Sequence, residues 1–117
     1  MKTTCLINNY NYVNYLSEAI NSAVNQSVQF DEIIIVDDAS TDNSAEIITK
    51  FTEQGNIKSV LKQKNQGQLS SFNEGFLAAT GDIIFFLDAD DMYKREYLEN
   101  TLKFYQRYRE CDFIFCA

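Results

Sequence analysis

Histidine and proline are both missing from the 117 residues, and only three cysteines are present. Without histidine, nucleophilic catalysis by Ser-His or Cys-His pairs is excluded. Zinc sites of the Cys/His kind are disfavoured as well, because Cys5, Cys111 and Cys116 are an odd set with no C-x-x-C spacing. These thiols are expected to be reduced, in or beside strands, as cytosolic redox chemistry keeps them. Lacking proline, the loops depend on Gly, Asn and Asp for their turns. No apolar stretch approaches the roughly 18–20 residues that span a bilayer. The longest runs, Ile33–Val36 and Ile83–Leu87, are strand-length. Lys2 is followed by no apolar segment of the secretory kind, so a cytoplasmic protein is expected, with membrane association of a longer protein left open.

Positive charge is also scarce: ten Lys and Arg against seventeen Asp and Glu give a net charge of −7. With no basic stripe, nucleic acid is not the expected partner. An anionic ligand would be repelled unless a cation or backbone N–H groups intervene. The 45% hydrophobic and 23% charged content fits one globular domain rather than a disordered chain.

What is present reads as alternating strands and helices. Thr3–Asn8 is a β-branched and apolar first strand. Tyr12, Leu16, Ala19, Ile20, Ala23 and Val24 mark one face of a helix. Glu32–Val36, apolar after its first residue, suits a strand buried on both faces of a parallel sheet. A helix over Ala45–Thr52 follows, with Asp42, Asn43 and Ser44 as capping side chains. Ser59–Leu61 is a weak third strand, Leu69, Phe72, Phe76 and Ala79 mark another helix, and Asp82–Leu87 is the second strongly apolar strand. Leu98, Leu102 and Tyr105 define a last helix and Phe113–Phe115 a last strand. This order predicts an α/β fold with a doubly wound, mostly parallel sheet. Such sheets bind ligands beyond the carboxyl ends of their strands.

Three polar clusters fall at those ends. Asp88-Ala89-Asp90-Asp91 follows a buried strand, and three carboxylates so close repel one another. A hard divalent cation, Mn²⁺ or Mg²⁺, would convert that repulsion into binding, with phosphate oxygens completing its shell. Alternation along an extended loop would point Asp88 and Asp90 the same way, with Asp91 opposed. A solvated acidic turn is the plainer alternative. Asp37-Asp38 closes the second strand, where a carboxylate can accept from base or ribose donors or simply shape the turn. Asn8-Asn9-Tyr10-Asn11 closes the first, offering amides for a base edge and an aromatic ring for stacking.

These clusters and their order resemble family 2 glycosyltransferases. Members of that family typically carry P-x-Y-N, then L-x-x-A-I-x-S-x-x-x-Q, D-D-x-S-x-D, N-x-G, A-x-G-D and L-D-x-D-D. The corresponding stretches here are Asn8–Asn11, Leu16–Gln26, Asp37–Asp42, Asn65–Gly67, Ala79–Asp82 and Leu87–Asp91. The resemblance covers essentially the whole chain and implies a GT-A fold binding a nucleoside diphosphate sugar, UDP-linked ahead of GDP-linked, for inverting transfer to a saccharide or lipid-linked acceptor. It implies that Tyr10 and Asp38 contact the base with Asn8 close by, that Asp88 lies near the ribose, and that Asp90, with Asp91, binds the metal. Two departures stand out: Asn8 replaces the family's proline, and Ser71-Phe72-Asn73 replaces an A-R-N stretch, removing a cation. Phe72 is better read as core than as ligand.

The resemblance also implies that the catalytic base lies in an acceptor half that this chain lacks, so donor binding without efficient transfer is expected. Tyr93 and Glu96 read as helix-start residues, and an exposed edge left by the missing half would favour self-association. The other readings are a non-catalytic nucleotide-binding or interaction module of the same fold and a receiver-like signalling domain. The latter fits poorly, because strand one ends in Asn8-Asn9 and not in an acidic pair.

Overall fold

The computed structural model describes residues 1–110. The expected strand at Phe113–Phe115 and the thiols of Cys111 and Cys116 lie outside the described residues.

Four strands, β1 (Thr3–Asn9), β2 (Glu32–Asp37), β3 (Ile57–Leu61) and β4 (Ile83–Asp88), alternate with α1 (Val13–Val24), α2 (Ser44–Thr52), α3 (Gln68–Ala78) and α4 (Tyr97–Arg107). The described strands are all parallel and stand in the order β3-β2-β1-β4. Every residue of β1 and β2 is buried, and their central stretches, Cys5–Ile7 and Ile33–Val36, are accordingly apolar without alternation. β3 is buried only at Ile57 among its five residues, and its sequence is correspondingly weak.

Residues of one parity along the strands, Cys5, Ile7, Ile33, Ile35, Phe85 and Leu87, share a core with Leu16, Ala19, Ile20 and Ala23 of α1, Ile48 of α2 and Leu98 of α4. The other parity, Leu6, Ile34 and Val36, packs with Phe72 of α3. This division follows from chain direction. The crossovers β1→β2 and β2→β3 travel one way across the sheet, and β3→β4 travels back past β2 and β1. Right-handed crossovers then place α3 on the face opposite α1 and α2. The reversal lies between β1 and β4, so the crevice at their carboxyl ends is where a ligand is expected.

At the opposite end of the sheet, Glu32 Oε1 accepts from Thr4 Oγ1 at 2.6 Å and from the Thr80 N–H at 2.6 Å. Thr4 Oγ1 in turn accepts from the Gly81 N–H at 3.0 Å. A Cβ at Gly81 would stand 2.4 Å from Thr4 Oγ1 and 2.9 Å from the Thr4 backbone nitrogen, so the approach to β1 requires glycine there. The Ala79–Asp82 stretch is thus the device that feeds β4 into the sheet.

Candidate functional site at the carboxyl ends of the strands

Asn8 and Asn9 end β1 and face opposite sides of the sheet. Asn9, in register with Asp37, donates from Nδ2 to Asp37 Oδ1 at 2.8 Å. Asn8 is in register with Val36 on one side and Asp88 on the other. Its side chain is 7% exposed, and neither Oδ1 nor Nδ2 has a hydrogen-bond partner. A buried amide left unsatisfied costs about 1–3 kcal/mol, so its presence at the switch point calls for an explanation.

The two loops beside it brace each other. Asn11 and Ala39 both adopt φ of 59°, the left-handed region. Asn11 Oδ1 accepts from the Thr41 N–H at 2.8 Å, while the Asn11 N–H donates to Ser40 Oγ at 2.9 Å. Asp37 accepts from the Ser40 hydroxyl at 2.6 Å and from its N–H at 3.0 Å. Asp42 joins the N-termini of two helices, accepting from the N–H groups of Val13 and Ser44. It performs the capping expected at α2, and Asn43 at the cap position forms no side-chain bond. The bracing leaves Tyr10 between the loops with its side chain 44% exposed.

Asp38 points into the α3 side. Lys62 Nζ lies 2.8 Å from its Oδ1, and both side chains are buried. The Gln66 N–H donates to Oδ1 and the Gly67 N–H to Oδ2, at 3.0 and 2.9 Å. Gly67 has φ of 92°, which explains the glycine of the Asn65-Gln66-Gly67 stretch. Burial pushes the Asp38 carboxyl up, but Lys62 and these two N–H groups outweigh it and hold it below its ordinary value. Asp38 therefore fixes the loop that opens α3.

The acidic stretch departs from simple alternation. Beyond Asp88 the chain makes a turn, closed by the Asp91 N–H on the Asp88 carbonyl at 3.0 Å. Ala89 is buried, Asp88, Asp90 and Asp91 are all exposed, and the extended course on which the expected alternation depends is absent. The reason is that β4 ends at Asp88, where strand periodicity stops. Partial desolvation at the strand end, then repulsion from Asp90 and Asp91, raises the Asp88 carboxyl, against a lowering bond from Gln68 Nε2 at 3.1 Å. Among the described residues no three His, Cys, Asp or Glu side chains are grouped closely enough to hold a metal alone. Exposed carboxylates that repel each other do suit a cation that shares its shell with ligand oxygens.

A family model for "Glycosyl transferase family 2" matches residues 4–116. The chain belongs to glycosyl transferase family 2. Within it, the chain is 50% identical over 108 residues to the uncharacterized glycosyltransferase alr2836 of Nostoc sp. (strain PCC 7120), covering 91% of this chain and 33% of that protein. It is 40% identical over 104 residues to the glycosyltransferase GlyG of Streptococcus pneumoniae serotype 4, covering 88% of this chain and 34% of GlyG. The chain thus spans about a third of the length of these curated relatives. S. aureus TarS in complex with UDP-GlcNAc superposes with a TM-score of 0.85 at 29% identity, over 93% of this chain and 32% of TarS. The mannosyltransferase PcManGT of Pyrobaculum calidifontis, in complex with GDP-Man and Mn²⁺, gives 0.82 at 25% identity, over 89% of this chain and 32% of that one. The fold is that of GT-A glycosyltransferases.

In this family 2 chain, Asn8 and Asp88 come together at the switch point, Tyr10 stands exposed on the neighbouring loop, and Asp90 and Asp91 follow Asp88 in an exposed turn. Asp38 is engaged by Lys62 and the Gln66-Gly67 turn. Phe72 packs against Val36 and its neighbours, with its ring edge-on to Phe86 at 5.2 Å between centroids. Tyr93 precedes α4 by several residues, and Glu96 sits at its N-cap. Sequence reading missed Lys62 and Gln68, because each acts on a residue 20 or more positions away. No helix among the described residues is long and apolar enough to cross a membrane.

Proposed function

We propose that this domain holds the nucleoside diphosphate of a sugar donor, UDP-linked, across the carboxyl ends of β1 and β4. The observation that carries the reading is Asn8, whose buried amide has an unused donor and an unused acceptor beside Asp88. A pyrimidine edge offers both kinds of partner. Tyr10 supplies an exposed ring for stacking on the base. Asp38 acts on the nucleotide through the loop it pins, and Asp88 faces the ribose from the strand end.

Asp90 and Asp91 are the residues that would hold Mn²⁺ or Mg²⁺, since their exposed oxygens match the hard-cation preference and leave room for phosphate. A divalent ion bound there supplies Lewis-acid stabilisation of charge on a departing diphosphate. In the full-length protein the activity we infer is inverting transfer of the sugar to a hydroxyl of a saccharide or lipid-linked acceptor. The acceptor oxygen bonds to the anomeric carbon, the bond from that carbon to the diphosphate breaks with its electrons on the phosphate, and the hydroxyl proton passes to a base outside the described residues. The chain's likeness to TarS and PcManGT supports this reading, given the UDP-GlcNAc, GDP-Man and Mn²⁺ that their complexes contain.

Calorimetric titration with UDP and GDP, with and without Mn²⁺, tests the proposal. UDP binding strengthened by Mn²⁺, and losing that gain in Asp90→Ala, is the expected result. Equal Mn²⁺ dependence in Asp90→Ala removes that residue as a ligand, and a folded protein that binds neither nucleotide refutes the donor site.

A further inference from the structure

The fixed positions of the Leu16–Gln26 motif include two polar residues, Ser22 and Gln26, that donor binding does not use. Ser22 Oγ donates to the Ala19 carbonyl at 2.7 Å and accepts from the Tyr93 N–H at 3.1 Å. Gln26 lies just past α1 and is 5% exposed. Its Nε2 donates to the Ser22 carbonyl at 2.9 Å and to the Lys94 carbonyl at 2.8 Å, and its Oε1 accepts from the Leu98 N–H at 2.8 Å. The Ser27 N–H adds a bond to the Arg95 carbonyl at 2.9 Å. Glu96, at the N-cap of α4, makes no side-chain capping bond, so Gln26 performs that task from across the interface.

The bonds to Tyr93, Lys94 and Arg95 fall on the segment that follows the acidic turn, and the bond to Leu98 falls on the first turn of α4. Residues 91–94 belong to no helix or strand, and the bond within them is local, from the Met92 N–H to Asp91 Oδ1 at 2.8 Å. Upstream, Ala89 is tied to β1 by its N–H on the Asn8 carbonyl at 2.9 Å. Downstream, Tyr93 is tied to α1 through its N–H, to β4 through its hydroxyl on the Phe86 carbonyl, and to Tyr97 by ring stacking at 4.2 Å. Asp90 and Asp91 therefore hang on three residues between two anchors, Ala89 on β1 and Tyr93, whose backbone is held by α1 and whose ring is held by β4 and Tyr97. Like charges in a free loop would spread apart; a loop held at both ends keeps them together before any cation arrives.

We propose that Ser22 and Gln26 are positioning residues that hold the Asp90-Asp91 turn in a cation-ready course. The inference rests on the donor-site reading above. It separates two parts of that site: the nucleotide surface at Asn8 and Tyr10 is braced by the Ser40 loop, whereas the acidic turn is braced by α1.

The test uses the full-length protein with Gln26→Leu, Ser22→Ala and Ser22→Thr. Two quantities are read: the Mn²⁺ concentration that half-saturates the UDP complex, by electron paramagnetic resonance, and UDP affinity in excess chelator, by calorimetry. Loss of hydrogen bonds made directly to metal ligands typically costs 10–100-fold in metal affinity, and Ser22 and Gln26 act one step farther out, so Gln26→Leu and Ser22→Ala should raise the half-saturating Mn²⁺ by about three- to tenfold. Metal-free UDP affinity should stay within about twofold, and Ser22→Thr, which keeps the hydroxyl, should restore the Mn²⁺ response. Unchanged Mn²⁺ response in folded variants overturns the inference, as does a parallel loss of both quantities, which is what general loosening would give. Should Gln26→Leu fail to fold, the Ser22 pair decides alone. A wild-type protein without Mn²⁺-dependent UDP binding overturns the donor-site reading itself, and the positioning role with it.

Discussion

Asn8 lies opposite Asp88 in the register joining β1 to β4, the one an amide without a partner and the other a carboxylate bonded to Gln68. The pairing puts the cost of an unsatisfied group beside the chain's acidic turn. Asn8→Val separates cost from use. Removing the buried amide and placing a β-branched residue in a central strand should stabilise the fold by about 1 kcal/mol. The same change removes the donor and the acceptor proposed to meet the base and should weaken UDP binding by about tenfold, roughly what one or two hydrogen bonds contribute. Thermal unfolding and calorimetry on one variant check both signs; a destabilised variant with unaltered binding would make Asn8 structural.

The Lys62–Asp38 pair makes a second expectation. Both side chains are buried, and the carboxylate also receives two backbone N–H bonds. Lys62→Met leaves that carboxylate without its cation and should cost about 3 kcal/mol, the lower end for a broken buried pair because the N–H groups remain. Asp38→Asn combined with Lys62→Met should recover part of the loss, giving a coupling of about 1–3 kcal/mol. Urea unfolding of the two single variants and the double variant measures it. Additive losses would mean that the pair is incidental to the loop.

The layered fold was legible because its cause is local. The uninterrupted apolar runs of β2 and β4 and the Leu16, Ala19, Ile20, Ala23 stripe of α1 each encode burial in their own spacing. Asn8, Tyr10 and the Asp88–Asp91 stretch were legible as strand-end clusters for the same reason. The partner of Asp38 was not, since it is created by register: Asp37 pairs with Leu61, which brings the next residues, Asp38 and Lys62, side by side. Nothing in either strand announces that alignment. Gln68 was hidden similarly, reaching Asp88 only because α3 crosses back over β1. The extended loop assumed beyond Asp88 is a turn instead, because β4 stops there.

Glu32 gives the fold a pH dependence with a definite sign. It is 3% exposed, at the end of the sheet away from the candidate site. Burial pushes its carboxyl up, but bonds from the Thr4 hydroxyl, the Thr80 N–H and Lys58 outweigh it and bring it down to about 2 from 4.5. A carboxyl lower in the folded chain than in the unfolded one stabilises above the unfolded value, and that contribution is lost as pH falls from about 4.5 toward 2. At neutral pH it amounts to something on the order of 3 kcal/mol. Glu32→Gln should therefore be less stable than wild type at pH 7, with the gap closing as the pH is lowered below 4.5. Urea unfolding of both proteins at pH 7, 4.5 and 3 checks this, because titration of Asp38 and Asp42 affects the two alike. A gap that stays constant with pH would assign the Glu32 contacts to hydrogen bonding without charge, and one that widens in acid would reverse the sign argued for this carboxylate.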